Sequence, residues 1–270
     1  MNAEATACQY IIELIYERTR IRLHDGKEAL IVGRLGKRMR HHGFATLAEY
    51  CDYLQTDAND EEFTLVTDAL TTNHTNFMRE ADHFEFLVQN ALPSVLAKGQ
   101  SRFHIWSAAS SSGEEAYTMA MFLSEHFPPS QGWDWRLTGS DISTKVLEKA
   151  REAVYAEDRV KPVPADWLRR YFQKGSGKWE GHYRVKRELS ERVHFRQVNL
   201  IEDYDHAQMY EVIFCRNVMI YFDRETQEQL VRRLSQFLVP GGHLIIGHSE
   251  SLNGLSLPLR CVRPSIYQAS

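Results

Sequence analysis

From about residue 102 onward, short apolar runs alternate with amphipathic stretches, and each apolar run breaks off in small or polar residues. RFHIWSAA is followed by GEEAYTMAMFLSEHF, then WRLTGSD, then STKVLEKAREAVY, and the series resumes with VHFRQVNL, YEVIFCRN and HLIIGHSE. Such alternation predicts an α/β fold in which helices cover a parallel sheet. Pro240-Gly241-Gly242 reads as the turn before the last of these strands, and RCVRPSIYQAS as one strand more. Between Tyr155 and about Arg192 the rhythm is interrupted by VKPVPADWLRRYF and the glycine-bearing GSGKWEGHYRVKRELSER, which predict a helix and a small antiparallel ribbon. We read residues 156–192 as an inserted subdomain.

The first 75 residues show helical periodicity and no convincing strand. Cys8, Ile11, Ile12 and Ile15 follow the i, i+3, i+4, i+7 spacing of one buried face. Thr46 with Glu49 reads as a capping box before Leu47, Tyr50, Cys51 and Leu54, and Asn59 with Glu62 repeats the pattern before Phe63, Val66 and Leu70. The expected organisation is a helical domain over residues 1–75 and an α/β domain over 76–270.

Charge and cysteines narrow the function. With 32 Lys and Arg against 36 Asp and Glu, the chain has a formal net charge of -4, which excludes nucleic-acid binding through bulk charge. Cys8, Cys51, Cys215 and Cys261 form no C-x-x-C pair, so a zinc knuckle or dithiol motif is not available and a reducing cytosol fits. MNAEATACQY has no basic-then-apolar signal pattern, and no apolar run approaches the ~20 residues of a membrane span, so a cytoplasmic protein without membrane insertion is expected.

In open parallel sheets the ligand sits beyond the carboxyl ends of the strands. The first such end carries Ala108-Ala109-Ser110-Ser111-Ser112-Gly113, small residues before a helix beginning near Glu114. Only one glycine is present, so the dinucleotide fingerprint G-x-G-x-x-G is absent and a nicotinamide enzyme is disfavoured. Glu114 and Glu115 would repel a phosphate and welcome a cationic ligand. Glu114 reads equally well as an ordinary first-turn acid, and Glu115 is the better ligand. Asp141, 28 residues after Gly113, stands where a carboxylate accepts ribose hydroxyls, although an acid before Ser143 also shapes the entry to a helix. Asn199-Leu200 would bracket an adenine with an amide and an apolar contact, and Arg216-Asn217 ends the next strand in the same row.

These residues resemble the bacterial chemotaxis receptor methyltransferases of the CheR type, nearly end to end. The likeness is carried by LTTNHTNFMRE (70–80), WSAASSSGEEAYTMAM (106–121), SDISTKVLEKAR (140–151) and FCRNVMIYFD (214–223). It implies a Rossmann-like class I methyltransferase domain that takes the methyl of S-adenosylmethionine to glutamate side chains on chemoreceptor cytoplasmic helices, leaving S-adenosylhomocysteine. By the same resemblance Asn73, Thr75, Arg79, Glu115, Asp141, Asn199, Leu200, Arg216 and Asn217 contact the cofactor, while Tyr221 and Arg79 face the reacting carboxylate. Ser110 and Ser111 stand in loop positions that vary among small residues, Ala116 replaces a common proline, and Met78 replaces a common aromatic. His74 and Asn76 receive no role. The alternative is a relative that senses S-adenosylmethionine without catalysis.

A glutamate, with an unperturbed pKa of about 4.3, is already ionised at pH 7, so methyl transfer to it needs no general base. Alignment, exclusion of water and charge placement remain as the sources of catalysis. No H-E-x-x-H and no His/Cys cluster of ligand spacing occurs, so no metal is expected.

Residues 18–42 hold Arg18, Arg20, Arg22, Lys27, Arg34, Lys37, Arg38 and Arg40 against Asp25 and Glu28, whereas residues 43–70 hold seven acids and no Lys or Arg. Lys27, Arg34, Arg38 and His41 share one helical face. With Lys37 they form the surface expected to dock an acidic receptor helix, against the plainer reading of a solvated basic face. The inserted subdomain resembles one that grips a receptor's C-terminal peptide tail in some family members; a simple cover over the site is the other reading. The expected protein is a monomer associated with chemoreceptor arrays.

Overall fold

The structure, a computed structural model, describes residues 3–23, 28–56, 60–71, 73–97, 99–203 and 208–270. Among the described residues the N-terminal unit is four helices: α1 (Ala3–Thr19), α2 (Glu28–His42), α3 (Leu47–Thr56) and α4 (Asp60–Leu70). They bury Cys8, Ile11, Ile15, Ile31, Leu35, Tyr50 and Val66 in one core. Gly33 and Gly36 do not interrupt α2, whose buried ridge is Ile31, Leu35 and Met39. The capping box at α3 is present, with Glu49 N–H on Thr46 Oγ1 at 3.3 Å and Thr46 N–H on Glu49 Oε2 at 3.2 Å. Asn59 lies outside the described residues. Glu62, which that pattern would use as its cap partner, is instead buried and accepts from Arg38 and Tyr50.

The rest follows as α5 (Ala81–Phe86), a π-helical turn at Leu87–Ala91, α6 (Leu92–Val95), β1 (Arg102–Ser107), α7 (Glu114–His126), β2 (Asp134–Asp141) and α8 (Thr144–Glu152). Next come β3 (Val154–Ala156), α9 (Glu157–Val160), α10 (Ala165–Tyr171), β4 (Phe172–Lys174), β5 (His182–Val185) and α11 (Arg187–Ser190). The chain ends with β6 (Val193–Gln197), β7 (Tyr210–Cys215), α12 (Arg224–Ser235), β8 (Leu238–Ile246), β9 (Leu259–Arg263) and β10 (Ile266–Ala269).

Among the described residues seven strands form one sheet in the order β6-β2-β1-β7-β8-β10-β9, with the first five mutually parallel and β10 antiparallel to both its neighbours, β8 and β9. Strand periodicity divides its side chains between two cores. Phe103, Ile105, Val212, Phe214 and Ile245 pack with α5 to α7 on one face. Trp106, Ile213, Cys215, Leu244 and Ile246 pack with Leu230, Val231 and Leu234 of α12 on the other. The second sheet, β3-β5-β4, is antiparallel, and its Tyr155, Phe172, Tyr183 and Val185 join the first of these cores.

Two local expectations change. Pro240-Gly241-Gly242 lies inside β8 rather than before it: Tyr210 and Val212 of β7 face Leu238 and His243 of β8, so a bulge at Gly241 (φ 76°) absorbs the extra residues. The C-terminal stretch forms two strands, because Ser265 at φ 64° turns β9 back onto β10.

Candidate functional site

From the seam between β1 and β7 the crossovers run outward in both directions, so the strand ends there splay and leave a crevice. A cavity of about 1190 Å³, open solvent at its mouth included, occupies that place. It is lined by all nine residues expected to hold the cofactor and by Tyr221. Thr19 at the end of α1, with Ile21, Arg22 and Leu23 just after it, closes one side.

The loop after β1 depends on Gly113, whose φ of 95° ends the turn before α7; a Cβ there would lie 2.9 Å from the Tyr155 hydroxyl and 3.0 Å from Ala150 Cβ. The Tyr155 hydroxyl, from β3, donates to Ser112 O at 2.8 Å. Arg159 of α9 pairs with the buried Glu114 and donates to Thr75 O at 2.9 Å. Glu114 therefore braces the second sheet against the loop, which favours its structural reading.

Glu115 projects into the cavity. Its carboxylate accepts from Ser107 Oγ at 2.7 Å and from Arg216 Nη1 at 3.2 Å, and burial raises its pKa against the pull of Arg216. Asp141 ends β2 with Ser111 N–H on Oδ2 at 2.9 Å and Ser143 N–H on Oδ1 at 3.0 Å; burial pushes its pKa up to about 6. Each oxygen keeps acceptor capacity for a hydroxyl donor.

Arg216 is almost fully buried after β7. Besides Glu115 it meets Glu80 Oε2 at 3.0 Å and donates to Arg79 O at 2.6 Å, with Phe84 beneath its plane at 5.2 Å. Its Nε has no hydrogen-bond partner among the described residues. Burial opposes the charge of Glu80, but the adjacent Arg216 more than offsets this and holds the carboxyl below its usual range. Met78, Glu80, Ser111 and Asn217 all have φ between 48° and 60°, so left-handed backbone is concentrated at this site.

Asn217 donates weakly to Glu80 Oε1 at 3.4 Å and packs where a Cβ on Gly247 would lie 2.4 Å from its Nδ2. Glu250, buried, accepts the N–H groups of Asn217, Met219 and Gly247 at 2.9, 2.8 and 2.7 Å, and so fixes the turn that carries Tyr221. Glu80 and Glu250 have no part in the sequence-based site. The first adjoins Arg79 in the 70–80 stretch, whereas nothing local marks the second.

Other expected residues are only partly turned to the cavity. The Asn199 amide donates to Arg18 O at 2.9 Å and Glu202 Oε1 at 2.8 Å, which leaves Leu200, Val198 and Ile142 as the apolar lining nearby. Arg79 donates to His74 O at 3.1 Å and remains half-buried, and Asn73 donates to Thr71 Oγ1 at 3.3 Å. Thr75 is buried, and Tyr221 is half-buried with Arg22 N–H on its carbonyl at 3.0 Å. Among the cavity-lining residues described, no serine–histidine or cysteine–histidine hydrogen bond occurs.

Of the basic surface, Lys27 lies outside the described residues. Arg34 caps α4 through Leu70 O at 2.9 Å and also lines the cavity, and Arg38 is committed to Glu62. Lys37 and Arg40 are exposed. The basic face is thus divided: the side flanking the α2 ridge meets α4, and the opposite side meets solvent. Among the described residues no helix is long and apolar enough to cross a membrane.

Comparison with known proteins agrees with this geometry. Residues 7–71 match the family model described as "CheR methyltransferase, all-alpha domain", and residues 73–267 match "CheR methyltransferase, SAM binding domain". The chain is 41% identical over 261 residues to the chemotaxis protein methyltransferase of Salmonella typhimurium, covering 96% of this chain and 88% of that protein. It is 38% identical over 261 residues to the Escherichia coli protein of the same name, covering 96% and 89%. Chemotaxis protein methyltransferase 2 of Pseudomonas aeruginosa is 39% identical over 267 residues, covering 96% and 91%. Matched along nearly all of its length, in its helical unit as well as its sheet, the chain belongs to the CheR methyltransferase family.

Proposed function

We propose that this protein transfers the methyl group of S-adenosylmethionine to glutamate carboxylates on chemoreceptor cytoplasmic helices, as a cytoplasmic enzyme at receptor arrays. The observation that carries the reading is the placement of Glu115, Asp141 and Arg216 around one cavity at the strand ends. Two buried carboxylates suit a ligand with a positive centre and ribose hydroxyls, and the unpaired Nε of Arg216 suits that ligand's carboxylate. Leu200, Val198 and Ile142 supply an apolar wall for a base. The residues present therefore fit S-adenosylmethionine.

When bound, S-adenosylmethionine supplies a methyl group on a sulfonium, activated for in-line displacement. The protein's part is alignment. Glu115 and Glu80 hold Arg216 from two sides, so its guanidinium is oriented before any ligand arrives. Tyr221, on the turn fixed by Glu250, positions the incoming carboxylate through its hydroxyl, and half-exposed Arg79 orients it without a tight clamp. Loose orientation suits the chemistry, because opposite charges disappear as the bond forms and strong stabilisation of the separated ions would slow the step. No proton has to be removed from an ionised glutamate, which agrees with a lining that lacks a base dyad. Exposed Lys37 and the adjoining basic residues of α2 steer an acidic helix towards the cavity. The second sheet contributes either a cover or a seat for a receptor tail.

The experiment is incubation with labelled S-adenosylmethionine and a chemoreceptor cytoplasmic fragment, followed by mild base. Label released by base marks a carboxyl ester and supports the reading. Cofactor binding without transfer would point to the sensing relative, and no cofactor binding would remove both.

A further inference from the structure

Next to Arg216, among residues that do not themselves line the cavity, three metal-competent donors gather. The ligand atoms of Glu80, His83 and His248 all lie within 4.8 Å of one another. The three arrive from separate places: Glu80 from the left-handed residue before α5, His83 from the first turn of α5, and His248 from the loop after β8.

His83 is the unusual member. It is fully buried, and neither ring nitrogen has a hydrogen-bond partner among the described residues. Its Nδ1 stands 3.4 Å from Glu80 Oε2 without hydrogen-bond alignment. A buried imidazole without a partner is an exception that asks for a ligand. Burial first, and the charge of Arg216 second, disfavour the protonated form of this ring. The ring of His248 meets it edge to face, with centroids 4.5 Å apart, and is half-exposed, which opens a path from solvent. Asp82 Oδ2 lies 3.1 Å from His248 Nε2 and adds a second carboxylate at the rim.

We propose that Glu80, His83 and His248 form a binding site for a divalent ion of the zinc class, in which the ion competes with Arg216 for Glu80. Two imidazoles and one carboxylate are a donor set that zinc accepts with a fourth position left to water, whereas calcium and magnesium ask for oxygen donors alone. Donors about 2.0–2.2 Å from a tetrahedral ion lie roughly 3.4 Å apart, the separation Glu80 and His83 already have. Rotation of the half-exposed His248 side chain completes the set. Arg216, 3.0 Å from Glu80 Oε2, sets the limit on affinity. An ion that takes Glu80 leaves Arg216 on Glu115 and Arg79 O alone, so occupancy of this site loosens the side chain at the centre of the neighbouring cavity.

The test is calorimetric titration of the tag-free full chain with Zn²⁺ alone, repeated with Mg²⁺, alongside His248→Ala and His83→Gln. His248 is half-exposed, so His248→Ala keeps the fold, as its circular dichroism and melting will verify; His83→Gln is read only if it folds. One Zn²⁺ per chain, no Mg²⁺, and binding weakened about tenfold or more in His248→Ala is the expected result. No Zn²⁺ uptake by the wild-type chain overturns the proposal, and so does undiminished uptake by folded His248→Ala. None of these readouts depends on methyl transfer.

Discussion

The Tyr16 hydroxyl donates a 2.5 Å hydrogen bond to Oδ2 of Asp223, a residue 207 positions later, and ties the N-terminal helices to the turn that carries Tyr221. That bond is the first cause of the depressed pKa of Asp223, which is held at about 2, with the Thr226 N–H and Arg22 contributing. A carboxyl whose folded pKa lies below its unfolded value of about 3.9 stabilises the protein above that pH and loses the contribution as pH falls towards 2. Tyr16→Phe should lower stability by about 1 kcal/mol at neutral pH, with the difference from wild type shrinking as pH falls from 4 to 2. Urea unfolding at the two ends of that range measures it, and a difference independent of pH would refute the assignment.

Asp141 gives the opposite sign. Burial raises its folded pKa to about 6, so between about pH 4 and 6 the native state holds the extra proton and stability declines as pH rises through that window. A ligand whose hydroxyls donate to this carboxylate needs it ionised. Affinity for S-adenosylhomocysteine should therefore weaken as pH falls below 6, and Asp141→Asn should bind weakly with that pH dependence removed. Calorimetry near pH 5 and pH 7.5 separates these outcomes.

Glu250 makes a prediction about the turn itself. Glu250→Gln keeps the shape but sets an NH₂ group against N–H donors now bound by the carboxylate. A loss of about 2 kcal/mol is expected, with reduced turnover because Asn217 and Tyr221 lose their common support. Thermal melting and initial rates measure both effects, and a neutral substitution would show that the turn is held by other contacts.

The alternation of apolar runs makes the parallel sheet legible in the sequence, because every strand buried on both faces reads as a short continuous run. The cavity residues are legible for a related reason: polar groups directly after such runs sit at strand ends. What depends on distant neighbours is not legible. Glu62 reads as a helix cap by its spacing from Asn59, yet the approach of α2 brings Arg38 to it and that of α3 brings Tyr50. Glu80 and Glu250 likewise gain their roles from Arg216 and from the turns after β7 and β8. Pro240-Gly241-Gly242 has turn chemistry, and only pairing with β7 turns it into a bulge.

The divided basic face of α2 separates stability from docking. Arg38→Ala leaves the buried Glu62 short of its cation and should destabilise the fold by about 2–3 kcal/mol. Lys37→Glu should leave the melting temperature within a degree or two and raise the KM for a receptor fragment, most visibly at low salt. If Lys37→Glu leaves receptor methylation untouched at every ionic strength, α2 is not the docking surface.

The most direct test of the central claim is peptide mapping by mass spectrometry of a chemoreceptor cytoplasmic fragment after incubation with the protein and S-adenosylmethionine. Methyl esters on glutamate side chains, formed by the wild type and reduced at least about a hundredfold in Arg216→Ala, are the predicted result. Methyl groups confined to nitrogen, or a receptor fragment left unmodified by a protein that binds the cofactor, would contradict it.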